Sequence, residues 1–212
     1  MANDLIFYTN PMSRGRIARW MLEEVGATYE TVVLDYASSM KALEYLTVNP
    51  MGKVPAIVHG GKVVTECAAI CAYLADAFPD AGLAPPPAER ADYYRWLFFA
   101  AGPVEQAFTN KSMGVTPDDR QKRLAGYGCF EQTIDTLEAA IAGKAYVTGD
   151  TFTAADVYVG SQIGLMLQFG LLEARPAFTA YSERVYAREA FKRASAIDDA
   201  LIAAAKAAAG AD

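Results

Sequence analysis

The sequence predicts two structural halves, an α/β unit arranged βαβ-α-ββα and an all-helical unit. Short apolar strands alternate with helix-type patterns up to Phe78, and helical spacing dominates the later part of the chain. Between them lies a stretch that ends in Pro85-Pro86-Pro87, and proline-rich stretches are stiff, extended spacers. We therefore expect an α/β domain at residues 1–79, a linker at 80–87 and an all-helical domain at 88–212.

The first strand and helix are predicted from clear local signals. Leu5-Ile6-Phe7-Tyr8 is a short apolar strand, and the turn-forming residues of Thr9–Ser13 interrupt it. Ser13 is a candidate N-cap, because a serine hydroxyl can accept from the free N–H groups of a helix's first turn. Apolar residues then recur at helical spacing until Gly26, a typical C-terminal stop.

The remaining elements of the α/β unit follow in order. A strand at 29–34 is rich in β-branched residues, and we expect it to pair in parallel with the first strand, as in a βαβ unit. A short helix at 38–46 precedes a third strand at 54–58. The paired glycines of His59-Gly60-Gly61-Lys62 favour a two-residue hairpin turn, and Thr65 is then expected to cap a helix that ends at Phe78.

The helical half is predicted from capping signals and proline positions. Pro103 indicates a kink in a helix over 88–111, because proline interrupts the helical hydrogen-bond ladder. Thr116-Pro117-Asp118-Asp119 indicates a helix start, and that helix is expected to continue to about Ala142. Thr153-Ala154-Ala155-Asp156 is a capping signature before an apolar helix. Two further helices are expected at 176–187 and 189–208, and the alanine-rich end at 203–212 is expected to fray.

Composition limits the classes of function. Hydrophobic residues make up 53% and charged residues 21% of the 212 residues, which predicts a packed core. The formal net charge of −6 argues against a nucleic-acid partner, because phosphate binding needs clustered Lys and Arg. The start of the sequence lacks a basic segment followed by an apolar one, so we expect no secretory signal. Its apolar runs are too short for a membrane helix, so we expect no membrane partner.

Cysteine and histidine usage indicates a compartment and argues against a metal site. The three cysteines, Cys67, Cys71 and Cys129, are few and odd in number, which favours a reducing, cytoplasmic environment over a disulfide framework. The chain has one histidine, His59, so we expect no metal site. Cys67 and Cys71 are better interpreted as small buried residues.

Val54-Pro55 is the unusual feature of the third strand. A proline near a strand start removes a backbone donor, and this X-Pro bond is a candidate cis peptide. The neighbouring backbone groups are then free to pair with an extended peptide, as a sheet edge does in strand addition. The alternative is an ordinary loop that binds no ligand.

Four motifs follow one another along nearly the whole chain. They are Tyr8-Thr9-Asn10-Pro11-Met12-Ser13-Arg14 with Arg19-Trp20, Asn49-Pro50-Met51-Gly52-Lys53-Val54-Pro55, Thr65-Glu66-Cys67-Ala68-Ala69-Ile70, and Phe152-Thr153-Ala154-Ala155-Asp156. Together they resemble those of the cytosolic glutathione S-transferase family. The resemblance implies a thioredoxin-like N-terminal domain that binds glutathione as cosubstrate, and a helical domain that holds a small electrophilic substrate.

The resemblance also implies how glutathione would be held by the N-terminal domain. Val54 would pair its backbone with the cysteinyl residue beside a cis Pro55. Lys41 and Lys53 would meet the glycyl carboxylate, and the alternative for each lysine is a solvated surface charge.

The γ-glutamyl end of the ligand is assigned by resemblance to the helix that begins near Glu66. The Glu66 carboxylate would take the ammonium, and the helix N-terminus would take the γ-glutamyl carboxylate. The family usually has serine where this chain has Cys67. A thiol is a weak donor, so we expect weaker contact through that side chain.

Thiol activation requires one well-placed hydroxyl, because a donated hydrogen bond stabilises the thiolate and lowers its pKa. Ser13 matches the serine-type members, and a helix N-terminus provides a positive field that favours a thiolate. Tyr8 matches the tyrosine-type members. Asn10 or backbone groups are a third alternative.

The resemblance implies an enzyme of detoxification that conjugates glutathione to hydrophobic electrophiles, and it implies a homodimer. A glutathione-dependent isomerase, dehalogenase or peroxidase is one alternative. A non-catalytic binding or regulatory protein with the same fold is another. Aromatic side chains of the helical half are candidates for the electrophile pocket, although such residues are more often core: Tyr93, Tyr94, Trp96, Phe98, Phe99, Phe108 and Phe169.

Overall fold

A four-stranded mixed sheet organises the N-terminal part of the computed structural model, which describes residues 4–209. The strands lie in the order β2-β1-β3-β4, with β1 and β2 parallel and the other pairs antiparallel. The predicted βαβ-α-ββα arrangement is confirmed. The strands are β1 (Leu5–Thr9), β2 (Glu30–Val33), β3 (Ala56–His59) and β4 (Lys62–Thr65).

Ten α-helices occur within the described residues. None of them combines the length and apolarity that crossing a membrane requires. The helices are α1 (Gly15–Glu24), α2 (Leu43–Leu46), α3 (Cys67–Ala77), α4 (Ala91–Phe99), α5 (Glu105–Ser112), α6 (Asp119–Leu124), α7 (Phe130–Ile141), α8 (Ala154–Gln168), α9 (Pro176–Tyr186) and α10 (Glu189–Ala209).

One row of paired residues lies across three strands at the same end of the sheet. Tyr8 of β1 lies opposite Ala56 of β3, which in turn lies opposite Thr65 of β4. β3 begins at Ala56 rather than at Val54 as predicted, because Pro55 has no N–H to donate to the ladder. The Val54–Pro55 peptide is cis, and Gly60 and Gly61 both have positive φ in the predicted hairpin turn.

The chain divides into two units, and the division differs from the predicted boundaries at the C-terminal end. One unit contains the residues up to Ala81 and those from Ala187 onward, and the other spans Gly82–Tyr186. Helix α10 therefore belongs to the sheet-containing unit, because it packs along α1. It remains helical to Ala209, and the last residues of the predicted frayed end lie outside the described residues.

A buried ion pair joins α10 to α1 inside the sheet-containing unit. Arg19 Nε donates to Asp198 Oδ1 at 2.8 Å, and the side chains of both residues are 1% exposed. The guanidinium of Arg19 also lies over the ring of Phe7 in β1, 5.1 Å from its centroid. Arg19 thus connects the sheet, α1 and α10 at one point.

Glycine and proline positions shape the helical unit, and one prediction for that unit is corrected. The single helix expected from Thr116 to about Ala142 is wrong, because a loop containing Gly128, with φ +67°, separates α6 from α7. The kink expected at Pro103 is a π-helical segment, Ala100–Val104, between α4 and α5. Such a segment accommodates proline because the regular ladder is already interrupted there.

The carboxylate of Asp156 is the buried polar centre of the helical unit. It accepts hydrogen bonds from Val147 N at 2.7 Å, Thr153 N at 2.9 Å, Thr153 Oγ1 at 3.0 Å and Tyr181 Oη at 2.7 Å. Burial raises the pKa of Asp156, although these hydrogen bonds act in the opposite direction. The predicted capping box is therefore confirmed and is extended by two tertiary hydrogen bonds.

We expect Asp156→Ala to lower the free energy of unfolding of the chain by about 3–5 kcal/mol, because several buried donors lose their acceptor. Urea denaturation measures the change. Asp118→Ala is the matched control, since Asp118 forms an exposed capping box with Gln121 at the start of α6. It should cost no more than about 2 kcal/mol. Equal losses in the two variants would contradict the importance of the buried network.

The Arg19–Asp198 pair gives a second stability prediction. Asp198→Ala should destabilise the chain by about 3–5 kcal/mol, because it leaves an uncompensated buried guanidinium. The control is its neighbour Asp199, whose side chain is 65% exposed and pairs with Arg16. Asp199→Ala should cost about 0–1 kcal/mol in the same urea titration. A small loss in both variants would show that the buried ion pair contributes little to the stability of its unit.

Candidate functional site

Three segments that the sequence selected lie at the same end of the sheet. The turn with Ser13 follows β1, Val54-Pro55 precedes β3, and Glu66 follows β4. Because Tyr8, Ala56 and Thr65 form one row across the sheet, these segments leave it at the same level. The sheet-containing unit thus brings together most of the residues that the sequence selected.

The turn between β1 and α1 is held by Asn10. Its Nδ2 donates to Leu34 O at 2.9 Å, and its Oδ1 accepts from Met12 N at 3.0 Å. The backbone carbonyl of Asn10 accepts from Ser13 N at 3.0 Å. Asn10 is buried, and both ends of its amide are engaged in the turn. Its side chain therefore has a structural role.

The hydroxyl of Ser13 is half-buried at the start of α1. It donates to Asn10 O at 2.7 Å and accepts from Gly15 N at 2.9 Å. The expected capping contact is therefore present, although α1 begins at Gly15 with Arg14 as the cap residue. Rotation about the Cβ–Oγ bond can turn the Ser13 proton from Asn10 O toward a ligand while the bond from Gly15 N is kept.

Tyr8 lies at the same end of the sheet, packed against a core cluster. Its half-buried ring lies against that of Tyr45, with centroids 5.4 Å apart. Tyr8 and Val54 both pack on a small core cluster that includes Tyr45 and Ala56. Burial raises the pKa of Tyr45 to about 12. Packing therefore accounts for much of the Tyr8 ring without any catalytic role.

The two candidate lysines have different surroundings. Lys41 Nζ donates to Gly52 O at 2.6 Å, so this ammonium already has a partner. The Lys53 side chain is exposed and makes no ion pair with any described residue. Its backbone carbonyl accepts from Tyr45 Oη and from Asn49 Nδ2. Sequence reasoning missed Tyr45, which fixes this loop from α2, the helix that immediately precedes it.

The backbone of Val54 makes no hydrogen bond with other residues in the described part of the chain. The residue is half-buried and packs on the core cluster that includes Tyr45 and Ala56. Since Pro55 keeps the ladder from starting before Ala56, Val54 can offer its N–H and C=O to an extended peptide. This geometry fits the role that the sequence predicted for Val54.

Glu66 occupies a strained backbone conformation at the start of α3. Its φ is 67° and its ψ is 121°, which side-chain-bearing residues rarely adopt. It is the cap residue of α3, so the expected cap at Thr65 is wrong by one position. The carboxylate is exposed and makes no capping hydrogen bond. Strain of this kind is often found at ligand-binding positions.

Cys67 points away from solvent. Its Sγ donates to Arg14 O at 3.6 Å, so the thiol links the beginnings of α3 and α1. Cys71 is fully buried, and burial raises the pKa of its thiol well above the ordinary value. Among residues 4–209 there is no group of three or more His, Cys, Asp or Glu that could hold a metal ion.

The aromatic residues of the helical unit divide between core and surface. Tyr93, Trp96 and Phe108 are buried. Phe98 is 66% and Phe169 is 63% exposed. The exposed rings therefore remain candidates for contact with an apolar ligand, whereas the buried ones serve the core.

Comparison with protein families gives two matches. Residues 3–76 match the model of the glutathione S-transferase N-terminal domain, and residues 120–184 match that of the glutathione S-transferase C-terminal domain. Both matches fall on the halves that the sequence pattern distinguishes.

Comparison with individual proteins gives relatives of similar length. Glutathione S-transferase 3 of Zea mays is 30% identical, over 89% of this chain and 92% of its own. Protein LigF of Sphingobium sp. is 40% identical, over 81% of this chain and 84% of its own. A sphingomonad glutathione S-transferase, solved in complex with glutathione, is 29% identical with a TM-score of 0.75, covering 92% of this chain and 98% of that one.

The strained backbone of Glu66 gives a stability prediction. Glu66→Gly should raise the free energy of unfolding by about 1 kcal/mol, because glycine adopts positive φ without steric penalty. Glu66→Ala is the control, since it removes the same carboxylate but retains the Cβ that causes the strain. Thermal and urea denaturation of both variants measure the difference. Equal stability of the two variants would show that the conformation of residue 66 stores no strain.

Proposed function

The chain belongs to the glutathione S-transferase family, and from this premise we propose that it activates the glutathione thiol for attack on hydrophobic electrophiles. The chain is a glutathione S-transferase, with glutathione as cosubstrate. The finer proposal rests on one observation: the turn after β1, the loop before β3 and the start of α3 lie together at one end of the sheet. There a half-buried hydroxyl, an unpaired strand backbone and a strained helix start occur together.

The residues at this end of the sheet fit a tripeptide with charged ends. Val54 supplies a backbone donor and acceptor that no other described residue uses. The exposed ammonium of Lys53 is suited to the glycyl carboxylate. Lys41 is the weaker candidate, since it would first have to leave Gly52 O.

The γ-glutamyl end is assigned to the beginning of α3. The first N–H groups of an α-helix lack intrahelical acceptors, and they bind carboxylates well. The exposed carboxylate of Glu66 is suited to the ligand's ammonium. Since the Cys67 thiol already donates to Arg14 O, we assign its contribution to the backbone rather than to the side chain.

Ser13 is the preferred group for thiol activation. Its hydroxyl would turn from Asn10 O toward the sulfur and donate to it, which stabilises the thiolate and lowers the pKa of the bound thiol. The start of α1 adds a positive field. Tyr8 is the second candidate, because its hydroxyl makes no hydrogen bond with any described residue although its ring is packed.

The thiolate would attack an electrophilic carbon of the second substrate, forming a C–S bond as the leaving group departs with its electron pair. We also propose that the chain forms a homodimer, as the family resemblance implies.

Thiol activation is tested by the pKa of glutathione bound to the protein. The absorbance of the bound thiolate is recorded against pH for the wild type, Ser13→Ala and Tyr8→Phe. We expect Ser13→Ala to raise this pKa by about 1 unit or more and Tyr8→Phe to leave it close to the wild-type value. Ser112→Ala is the matched control, since Ser112 Oγ makes the same kind of bond, to Thr109 O, at an exposed site.

Retention on glutathione-agarose and turnover of chlorodinitrobenzene complete the test. Retention of all variants with loss of turnover in Ser13→Ala supports the proposal. An unchanged thiol pKa in both Ser13→Ala and Tyr8→Phe would refute hydroxyl activation. Retention of the wild type without turnover of this electrophile would favour isomerisation, dehalogenation or peroxide reduction.

A further inference from the structure

Gly15 has no backbone reason to be glycine. It is the first residue of α1, and its φ does not lie in the left-handed region. Glycine is less favourable than alanine in a helix, because it loses more backbone entropy on folding. The reason for glycine at this position must therefore lie in the surrounding space.

That space is occupied by Thr9. A Cβ on Gly15 would lie 2.0 Å from Thr9 Oγ1 and 3.1 Å from Thr9 Cβ, and contacts below 3.0 Å require some atom to move. Thr9 is fully buried on β1, which lies between β2 and β3 in the sheet. The contact therefore sets how closely the start of α1 can approach the end of β1.

The hydroxyl of Thr9 is itself unusual. Its Oγ1 is buried and has no hydrogen-bond partner within the described residues. A buried hydroxyl without a partner destabilises a fold, as does a glycine in a helix. Two locally unfavourable residues thus touch each other at the turn that carries Ser13, and such departures from local rules tend to mark functional positions.

Gly15 donates a hydrogen bond to the Ser13 hydroxyl, the group proposed to activate the thiol. Its N–H donates to Ser13 Oγ at 2.9 Å, and the position of its absent Cβ is 3.0 Å from the same oxygen. A hydroxyl whose oxygen accepts a hydrogen bond is polarised and becomes a stronger donor. The bond from Gly15 therefore acts on the proton that Ser13 would donate.

We propose that Gly15 is a positioning residue for Ser13: because it has no side chain, the start of α1 lies close enough to Thr9 for the Gly15 N–H to reach Ser13 Oγ. This inference rests on the proposed function. When the Ser13 proton turns from Asn10 O to the sulfur, the Gly15 N–H keeps the oxygen in place. A side chain at position 15 would push the start of α1 away from β1 and weaken that bond.

The test is the pKa of the bound glutathione thiol in Gly15→Ala. It should rise by about 1 unit, which leaves about tenfold less thiolate at a pH below both pKa values. Retention on glutathione-agarose should persist, because Gly15 supplies no ligand contact. Gly126→Ala is the control, since Gly126 has ordinary φ and its Cβ would meet no atom within 4 Å.

Two double variants separate positioning from a merely structural effect. Thr9→Ala combined with Gly15→Ala removes the 2.0 Å contact, so the thiol pKa should return toward the wild-type value. Ser13→Ala combined with Gly15→Ala should show no rise beyond that of Ser13→Ala alone. Circular dichroism establishes that each variant is folded, and if Gly15→Ala is not, the Thr9→Ala double variant carries the test.

The failure of this inference is distinguishable from that of the proposed function. If Ser13→Ala leaves the thiol pKa unchanged, activation by Ser13 fails and the role of Gly15 fails with it. If Ser13→Ala raises the pKa but a folded Gly15→Ala does not, only the role of Gly15 is overturned. A folded Thr9→Ala double variant that keeps a raised pKa would likewise overturn the role of the Thr9 contact.

Discussion

The register between Tyr8, Ala56 and Thr65 is the constraint on which the candidate site depends. Because Pro55 cannot donate to the ladder, β3 begins at Ala56, and that residue aligns the end of β1 with the end of β4. The turn after β1, the loop before β3 and the start of α3 therefore leave the sheet together. Backbone groups, which have little freedom to move, make up much of the candidate site at this end of the sheet.

Several perturbed titratable groups lie away from this end of the sheet, in the packed interiors of the two units. Burial raises the pKa of Asp198 beside Arg19 and that of Asp156 and Tyr181 in the helical unit. These groups join helices to their own units through buried hydrogen bonds and a buried ion pair. A search for perturbed pKa values alone would have selected structural networks, although such values often mark functional sites. Here the informative features are backbone conformation and unused backbone hydrogen bonds.

Local sequence signals predicted the elements whose causes are themselves local. The alternation of strands and helices, the Gly60-Gly61 turn and the capping box of Asp156 all depend on residues close in sequence. Contacts between distant residues could not be predicted in this way. The association of α10 with the sheet-containing unit involves Arg19 and Asp198, which are 179 residues apart in sequence. The hydrogen bond from Tyr45 to the loop at Lys53 is closer in sequence, but no local pattern marks the tyrosine hydroxyl as its donor. The cap at Glu66 was missed because its positive φ opposes the residue's ordinary preference.

Three locally unfavourable features of the sequence lie around the same end of the sheet. Glu66 has positive φ, Gly15 opens a helix, and the hydroxyl of Thr9 is buried without a partner. If stability alone were the requirement, Glu66 could be replaced by glycine and Thr9 by a residue without a hydroxyl, since most proteins have stabilising substitutions available. Gly15 has less freedom, because a Cβ there would lie 2.0 Å from Thr9 Oγ1. A site that binds through side chains could tolerate such replacements, because side chains can adjust. A site that binds through backbone groups cannot, because its donors and acceptors move only when a strand or helix moves. The close packing of α1 on β1 is therefore expected to matter more for Ser13 than its own rotamer does.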